Sequence, residues 1–450
     1  MLIPARGIQS PVAARPFSEA GPSRQPIRRF PCIPGSAGRR TGGPDALQKG
    51  AGVIGVPEKT RAFTKSAALL ATAALAVACV APAPTALPSP AAVDAEVTDA
   101  MAATGAKGMA VAIVDEGRVV HVQSYGSRNA AGQALETNTV MYGASLTKAA
   151  FAYMVMQLAE EKRIDLDGSI ATYLPRPLSD YTAPQVEDKY ARWSDLAGDE
   201  RWRKLTPRIL LSHGSGFANF GFLEPDGKLR FHFDPGARYA YSGDGFILLQ
   251  FVLEQGLGLD VGTEMQRRVF DRFGMRTTSM LWRNDFAANL ADGWDIEGKP
   301  HPHDQRSTPR AAGSMDTTIA DMAQFAAGYV SGVGLSPAGR AELTKPQRAI
   351  TTATQFPTLL PELPAAERRT DLAAGLGVIV FNGPQGRAFE KGGHDDITGN
   401  TLTCVEARRR CVLIMSNDVR AEAAFPSLVK FVLGETGAPW RWLYGDMKFR

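Results

Sequence analysis

The sequence predicts an α+β fold, with an antiparallel sheet built from both ends of the folded chain, flanked by helices, and a mostly helical insertion between its halves. Three features carry this. Apolar strand-like runs cluster at residues 108–126 and again at 375–417, helical patterns fill the stretch between, and the C-terminal runs are separated only by turn residues, as antiparallel neighbours are.

The first helical pattern spans about Val93 to Lys107, with Val97, Met101 and Ala102 on one stripe and Gly105 or Gly108 placed to close it. MAVAIVDEGRVVHVQSYG then gives two apolar runs around Asp115-Glu116-Gly117, a hairpin signal, and Gly126 ends the second. Ala149 to Arg163 is the best helix in the chain, apolar in its first half and charged in its last turn. Residues 174–208 turn to Pro, Asp, Arg and Trp and read as surface loops and short helices. Further helices are predicted over Gly245–Gly256, Thr318–Tyr329 and, at the end, Ala421–Leu433. Between the last two lie the strand-like runs GLGVIVFNG, GRAFEKGG, TLTCVEA and RCVLIMSN. Cys404 and Cys411 flank the last turn; in an exported protein they could pair as a disulfide or stay reduced. No internal repeat is visible.

The chain has 450 residues, 44% hydrophobic and 21% charged, which excludes a disordered chain, a collagen-like repeat and a disulfide-stapled miniprotein. Its formal charge of +4 is uneven: residues 1–65 hold eleven Lys/Arg against three Asp/Glu, leaving 39 against 43 in the remainder. A mildly acidic folded part argues against nucleic acid as a partner. With four cysteines and no Cys-x-x-Cys pair, no cofactor or metal is expected.

The basic excess belongs to a leader. Lys59, Arg61 and Lys65 precede the uncharged run SAALLATAALAVA, the physical form of a secretory signal peptide, assigned to residues 53–79. Ala76-Val77-Ala78 suits cleavage, while the following Cys79 also suits lipidation, so simple secretion and a membrane tether through Cys79 both stay open. Residues 1–52, rich in Pro, Arg and Gly, are expected to be a non-native or disordered extension, with the native start near Val53 or Val56. Residues 80–92 form a Pro/Ala-rich linker and 93–450 the catalytic domain. The expected location is exported, either periplasmic or as a membrane-anchored lipoprotein.

Chemistry enters at Ser145-Leu146-Thr147-Lys148, where a loop passes into the best helix. Residues i and i+3 share a helix face, which puts an amine beside a hydroxyl that it can help deprotonate for attack on a carbonyl. The pattern is weak alone, since Ser427-Leu428-Val429-Lys430 repeats it. Context separates the two: Ser145 follows Gly143 and Ala144 and opens a helix whose first N–H groups are free for an oxyanion, whereas Ser427 sits inside a terminal helix after Pro426. The competing structural reading of Ser145 is a capping serine with a solvated lysine.

Two more segments add to it, Tyr241-Ser242-Gly243 in PGARYAYSGDGF and Lys391-Gly392-Gly393 in FEKGGHDD. With these three, the chain resembles the serine β-lactamase and penicillin-binding-protein superfamily, in its class C β-lactamase-like branch, marked by Ser-x-x-Lys, Tyr-x-Asn and Lys-Thr-Gly or His-x-Gly. IDLDGSIATYLP, LLSHGSGF and AAGSMDTTIAD are similar to supporting segments of that branch, and the resemblance runs from about Val93 to Leu433. It implies a β-lactamase/transpeptidase-like fold, with Ser145 as acylated nucleophile, Lys148 as its proton partner, Tyr241 as proton relay and Lys391 as a second cation lowering the phenol's pKa. Ser145 and His394 would supply the oxyanion N–H groups, and Gly392 and Gly393 would line the substrate.

Departures qualify the substrate. Gly243 stands where the branch has Asn, and Gly392 where Thr is common, so a side-chain amide and a carboxylate-holding hydroxyl are both missing. Asp244 could compensate in part for the first. A buried amide substrate would lose about 1 to 3 kcal/mol without its hydrogen bond, which favours an ester. There is no Ser-Asp-Asn of the class A type. His301 and His303 lie between prolines without further ligands and read as loop residues; His213 and His394 read as supports near the pocket. Trp193, Trp202 and the aromatics from Phe217 to Phe222 read first as packing of the helical cap.

The expectation is an exported serine hydrolase that cleaves a small ester or amide through an acyl-serine intermediate. The alternatives are a non-turning-over penicillin- or peptidoglycan-binding protein of the same fold, or a D-alanyl-D-alanine carboxypeptidase. The expected partner is a small-molecule ester, amide or peptidoglycan-like substrate.

Overall fold

A computed structural model describes residues 86–450. The extension, the signal peptide, Cys79 and the start of the linker fall outside the described residues.

An eight-stranded antiparallel sheet forms the frame. In chain order its strands are β1 (Gly108–Asp115), β2 (Arg118–Gly126), β3 (Arg348–Ala349), β4 (Ala373–Ala374), β5 (Ile379–Gly383), β6 (Gly386–His394), β7 (Gly399–Val405) and β8 (Arg410–Ser416). Their spatial order is β2-β1-β8-β7-β6-β5-β4-β3, so the first hairpin docks on the last strand and the sheet is assembled from both chain ends, as the sequence predicts. Five helices matter here: α1 (Pro90–Thr104), α2 (Leu146–Glu160), α3 (Gly243–Phe251), α4 (Ile319–Ser331) and α5 (Phe425–Leu433).

β1 is apolar without alternation because both of its faces are covered. Ala110, Ala112 and Val114 join the core that holds α2 and α4, while Met109, Val111 and Ile113 join the core under α1 and α5. β2, at the sheet edge, is only partly covered, with Arg118, Val120 and Gln123 exposed. The turn between them puts Glu116 and Gly117 at φ +54° and +78°, both left-handed, which the twist of a tight hairpin favours. Gly105 closes α1 at φ +73° with its N–H on the Met101 carbonyl.

Sequence boundaries shift where local hydrogen bonding decides them. α2 starts at Leu146, three residues early, because the Leu146, Thr147 and Lys148 N–H groups already donate to the Gly143, Ala144 and Ser145 carbonyls. The helix expected over Gly245–Gly256 is α-helical to Phe251 and π-helical over Val252–Gly256. The final helix splits into a 3₁₀ segment Val419–Ala424 and α5. The two-residue strands β3 and β4 carry too little sequence to show a pattern. In residues 174–208 the predicted loops and short helices are present, yet Leu178, Trp193, Leu196 and Trp202 are buried, so this segment is part of the core rather than a veneer. Trp193 packs on Phe251 of α3.

Cys404 and Cys411 face one another across β7 and β8, Cα atoms 4.1 Å apart, and are joined as a disulfide. Closing a loop this short restricts the unfolded chain by about 2 to 3 kcal/mol. Replacing both cysteines by Ala should lower the unfolding free energy by that order in guanidinium melts, and alkylation without reductant should leave both unmodified.

Candidate active site

The site is built at the N-terminus of α2. Ala144 takes a left-handed backbone, φ +46°, an uncommon conformation for a residue with a Cβ, and this turn delivers Ser145 to the head of the helix. Gly143 is needed just before it, since a Cβ there would lie 2.9 Å from the Met315 carbonyl oxygen. The Ser145 side chain makes no capping hydrogen bond. Instead its Oγ meets two groups: Lys148 Nζ at 3.0 Å and the Tyr241 hydroxyl at 2.9 Å. Lys148 is not solvated, as a capping serine with a surface lysine would require; it is 1% exposed and also donates to the Ala312 carbonyl.

Ser427 and Lys430 show the contrast. The Ser427 hydroxyl donates to the Ala424 carbonyl in its own helix, and Lys430 is mostly exposed beside Glu435. The same sequence pattern here brings no buried lysine to the serine.

Tyr241 lies two residues before α3, with its ring enclosed. His213 stacks on it at 4.3 Å between centroids, and His213 Nδ1 accepts the Ser242 N–H at 3.1 Å. Burial, reinforced by the Lys148 and Lys391 ammoniums, holds this imidazole well below its ordinary pKa. It therefore stays neutral, an acceptor that fixes the backbone beside Tyr241. Lys148 and Lys391 place their Nζ atoms 5.0 and 5.3 Å from the Tyr241 ring centre. Lys391 hydrogen-bonds to the Gly392 carbonyl at 2.7 Å, so it acts on Tyr241 through its field rather than by direct contact.

Burial alone would raise the Tyr241 phenol, but the two lysines and the Ser145 hydrogen bond outweigh it and bring the group to about 7. Burial also lowers the Lys148 ammonium. A phenol that releases its proton near neutrality, in contact with a serine hydroxyl, can serve as base and acid in turn.

β6 closes the other side. It pairs with β7 as far as His394 but with β5 only from Gly386 to Glu390, so Lys391, Gly392, Gly393 and His394 have no strand on their β5 side. Gly393 is where this edge touches α2: a Cβ there would be 2.8 Å from the Gly143 oxygen and 3.0 Å from the Ser145 nitrogen. Only glycine permits that approach. The Ser145 N–H has no acceptor among the described residues and stands at the positive end of a fifteen-residue helix. All the candidate residues, Ser145, Lys148, Tyr241, Lys391, Gly392, Gly393 and His394, line one cleft of about 950 Å³.

Two local details differ from expectation. Asp244 does not stand in for the missing amide: its buried carboxylate accepts the Gly221 N–H, and burial pushes it up to about 7. Nor is the space at Gly243 open, because a Cβ there would fall 2.3 Å from the Phe220 ring. The sequence also gave no motif for Asn219, which enters from the loop after LLSHGSGF. Its Oδ1 accepts the Gly243 N–H at 2.9 Å and its carbonyl the Asp244 N–H, setting an amide at the cleft wall. Phe220 and Phe222 also line the cleft, while Trp193, Trp202 and Phe217 are core. His303, in a loop, faces Asp316, whereas His301 is not a loop residue: it lies in a two-residue strand paired with Gly293–Trp294 and faces Asp295.

Residues 93–432 match the Beta-lactamase family. The chain belongs to that family. Two curated relatives are a β-lactamase-like protein of Homo sapiens, 29% identical over 254 residues (53% of this chain, 49% of the relative), and lovastatin esterase of Penicillium rubens, 26% identical over 204 residues (39% and 50%). The chain thus spans about half the length of these relatives. Among solved structures, a β-lactamase/D-alanine carboxypeptidase from Pseudomonas syringae superposes with a TM-score of 0.59 at 16% identity, over 76% of this chain and 97% of that one. The D-alanine carboxypeptidase AmpC from Burkholderia cenocepacia gives 0.57 at 18%, over 76% and 97%. These structural likenesses establish the fold. This β-lactamase-family chain therefore has a serine hydrolase fold of the β-lactamase/esterase type.

The shifted phenol is directly measurable. An ultraviolet difference titration of the folded protein should show one tyrosine ionising with a midpoint near 7, and Tyr241→Phe should remove that transition. Persistence of the transition in the variant would assign it elsewhere.

Proposed function

We propose that this protein is an exported serine hydrolase that cleaves a small ester through an acyl-Ser145 intermediate. The observation that carries the reading is the convergence of Lys148 Nζ and the Tyr241 hydroxyl on Ser145 Oγ, at 3.0 and 2.9 Å.

In this mechanism Ser145 Oγ attacks the ester carbonyl carbon while its proton passes to the Tyr241 oxygen, with Lys148 stabilising the phenolate. The carbonyl oxygen takes up negative charge facing the Ser145 N–H, with the backbone of His394 as second donor. Collapse breaks the bond to the alkoxy group, and the proton held by Tyr241 leaves with it as the alcohol. Water then attacks the acyl carbon, gives one proton to Tyr241, and the serine oxygen departs, recovering that proton. Lys391 keeps the phenol acidic throughout.

An ester is favoured over a β-lactam or peptide because the two groups that would grip an amide substrate's polar ends are absent. Phe220 fills the place of a side chain at Gly243, and Gly392 has no hydroxyl. The naming of one relative as an esterase agrees with this choice. Export, with Cys79 as lipidation site or simple secretion, is part of the proposal; the Cys404–Cys411 disulfide supports it, since such bonds persist in oxidising compartments.

Ser145→Ala should reduce p-nitrophenyl acetate turnover by about 10³-fold or more while leaving the thermal melt in place. Nitrocefin and a D-alanyl-D-alanine peptide should turn over more slowly than the ester. Intact mass after fluorophosphonate treatment should show one adduct, lost in Ser145→Ala. An adduct with penicillin that is never released, without ester turnover, would instead identify a binding protein. If Ser145→Ala retains activity, the nucleophile is misassigned.

A further inference from the structure

The cleft does not end at the reacting atoms. Beyond the free edge of β6 it continues onto the other face of the sheet, where Glu390, Glu422 and Tyr444 line it. Side chains alternate along a strand, so Glu390 and His394 lie on the face opposite Lys391. Glu390 is 1% exposed and Glu422 2% exposed.

Two glycines make room for these carboxylates. A Cβ at Gly399 would be 2.5 Å from Glu422 Cγ, and one at Gly392 would be 3.1 Å from Glu390 Oε1. Glu390 Oε1 accepts the Thr401 hydroxyl at 3.2 Å, but Glu390 Oε2 has no hydrogen-bond partner. Glu422 has the His394 ring at 3.3 Å as its ionic neighbour. The mechanism above uses neither acid. Burial drives both carboxyls upward, Glu390 to about 7; the Glu422 charge adds to the rise at Glu390, and the Asp395 charge adds to the rise at Glu422. A buried carboxylate oxygen with nothing to accept is expensive, and a cation placed beside it offsets the expense. Glu422 already has the His394 ring beside it, so the unpartnered Glu390 Oε2 is the acceptor left for an organic cation.

We propose that this inner chamber is a substrate subsite for an ammonium group: an ester whose arm passes Gly392 carries a primary amine that reaches Glu390 and Glu422. The proposal rests on the hydrolase reading of the same cleft and narrows its substrate class. Where Thr in place of Gly392 would present a hydroxyl to a carboxylate, this chain presents two carboxylates, so the charge it selects is reversed.

The test is calorimetric titration of Ser145→Ala protein with n-butylammonium, n-butanol, butyrate and KCl, which is independent of turnover. n-Butylammonium should bind about tenfold more tightly than n-butanol or butyrate, and Glu390→Gln and, separately, Glu422→Gln should each weaken it by about tenfold at retained melting temperature. Wild-type protein should show the same preference as protection of Ser145 from fluorophosphonate. Equal binding of the alcohol or the carboxylate, unchanged affinity in both Gln variants, or equal occupancy by potassium alone would each overturn the subsite. Failure of the hydrolase reading has a different signature, loss of ester turnover and of Ser145 labelling in the wild type.

Discussion

The site depends on a lysine that the fold has taken out of water. A buried ammonium is costly unless every hydrogen finds an acceptor, and Lys148 meets that demand with the Ala312 carbonyl, Ser145 Oγ and the adjacent phenol. That requirement organises what surrounds it. Ala312 must be brought across from the far side of the insertion, Ser145 must sit one turn earlier on α2, and Tyr241 must arrive with its oxygen inward. The same charge then lowers the phenol, so a group placed to satisfy a desolvated amine becomes a proton acceptor near neutrality. Stability and reactivity here are consequences of one electrostatic arrangement.

Backbone economy gives the arrangement its precision. Gly143, the left-handed Ala144 and Gly393 let a strand edge and a helix end come within the distance that a methyl group would occupy. The helix end contributes the Ser145 N–H and a positive field without any side chain, while the Leu146, Thr147 and Lys148 N–H groups are taken by the Gly143, Ala144 and Ser145 carbonyls. Because β5 stops at its pairing with Glu390, the last four residues of β6 remain available to a ligand; the sheet ends one neighbour short where function requires an open edge.

Much of this was legible before any coordinates. Both sheet halves, the hairpin turn at Glu116-Gly117 and the nucleophile helix follow from apolar periodicity and turn residues, because those signals are local. The residues proposed to react stand in sequence motifs, and the small residues before Ser145 and the proline before Ser427 separate the two copies of Ser-x-x-Lys. What escaped were long-range placements. Asn219 carries no pattern in its own segment and matters only because its amide meets Gly243. Asp244, adjacent to the gap in sequence, is turned away by a hydrogen bond to Gly221 that no spacing reveals. The orphaned Glu390 oxygen likewise emerges only when strand alternation puts it behind Lys391.

Alternation also explains how one short strand can present opposite electrostatics. Lys391 faces the phenol, where its positive field favours deprotonation of the Tyr241 hydroxyl that bonds Ser145. Glu390, one residue earlier, faces the other side, where Glu422 and Tyr444 converge. A side chain at position 392 would lie on the Glu390 face and crowd its oxygen. The two departures from the motifs of related enzymes therefore have different physical effects. At Gly243 the lost amide is replaced by an aromatic wall, whereas at Gly392 the missing side chain leaves the Glu390 oxygen uncrowded.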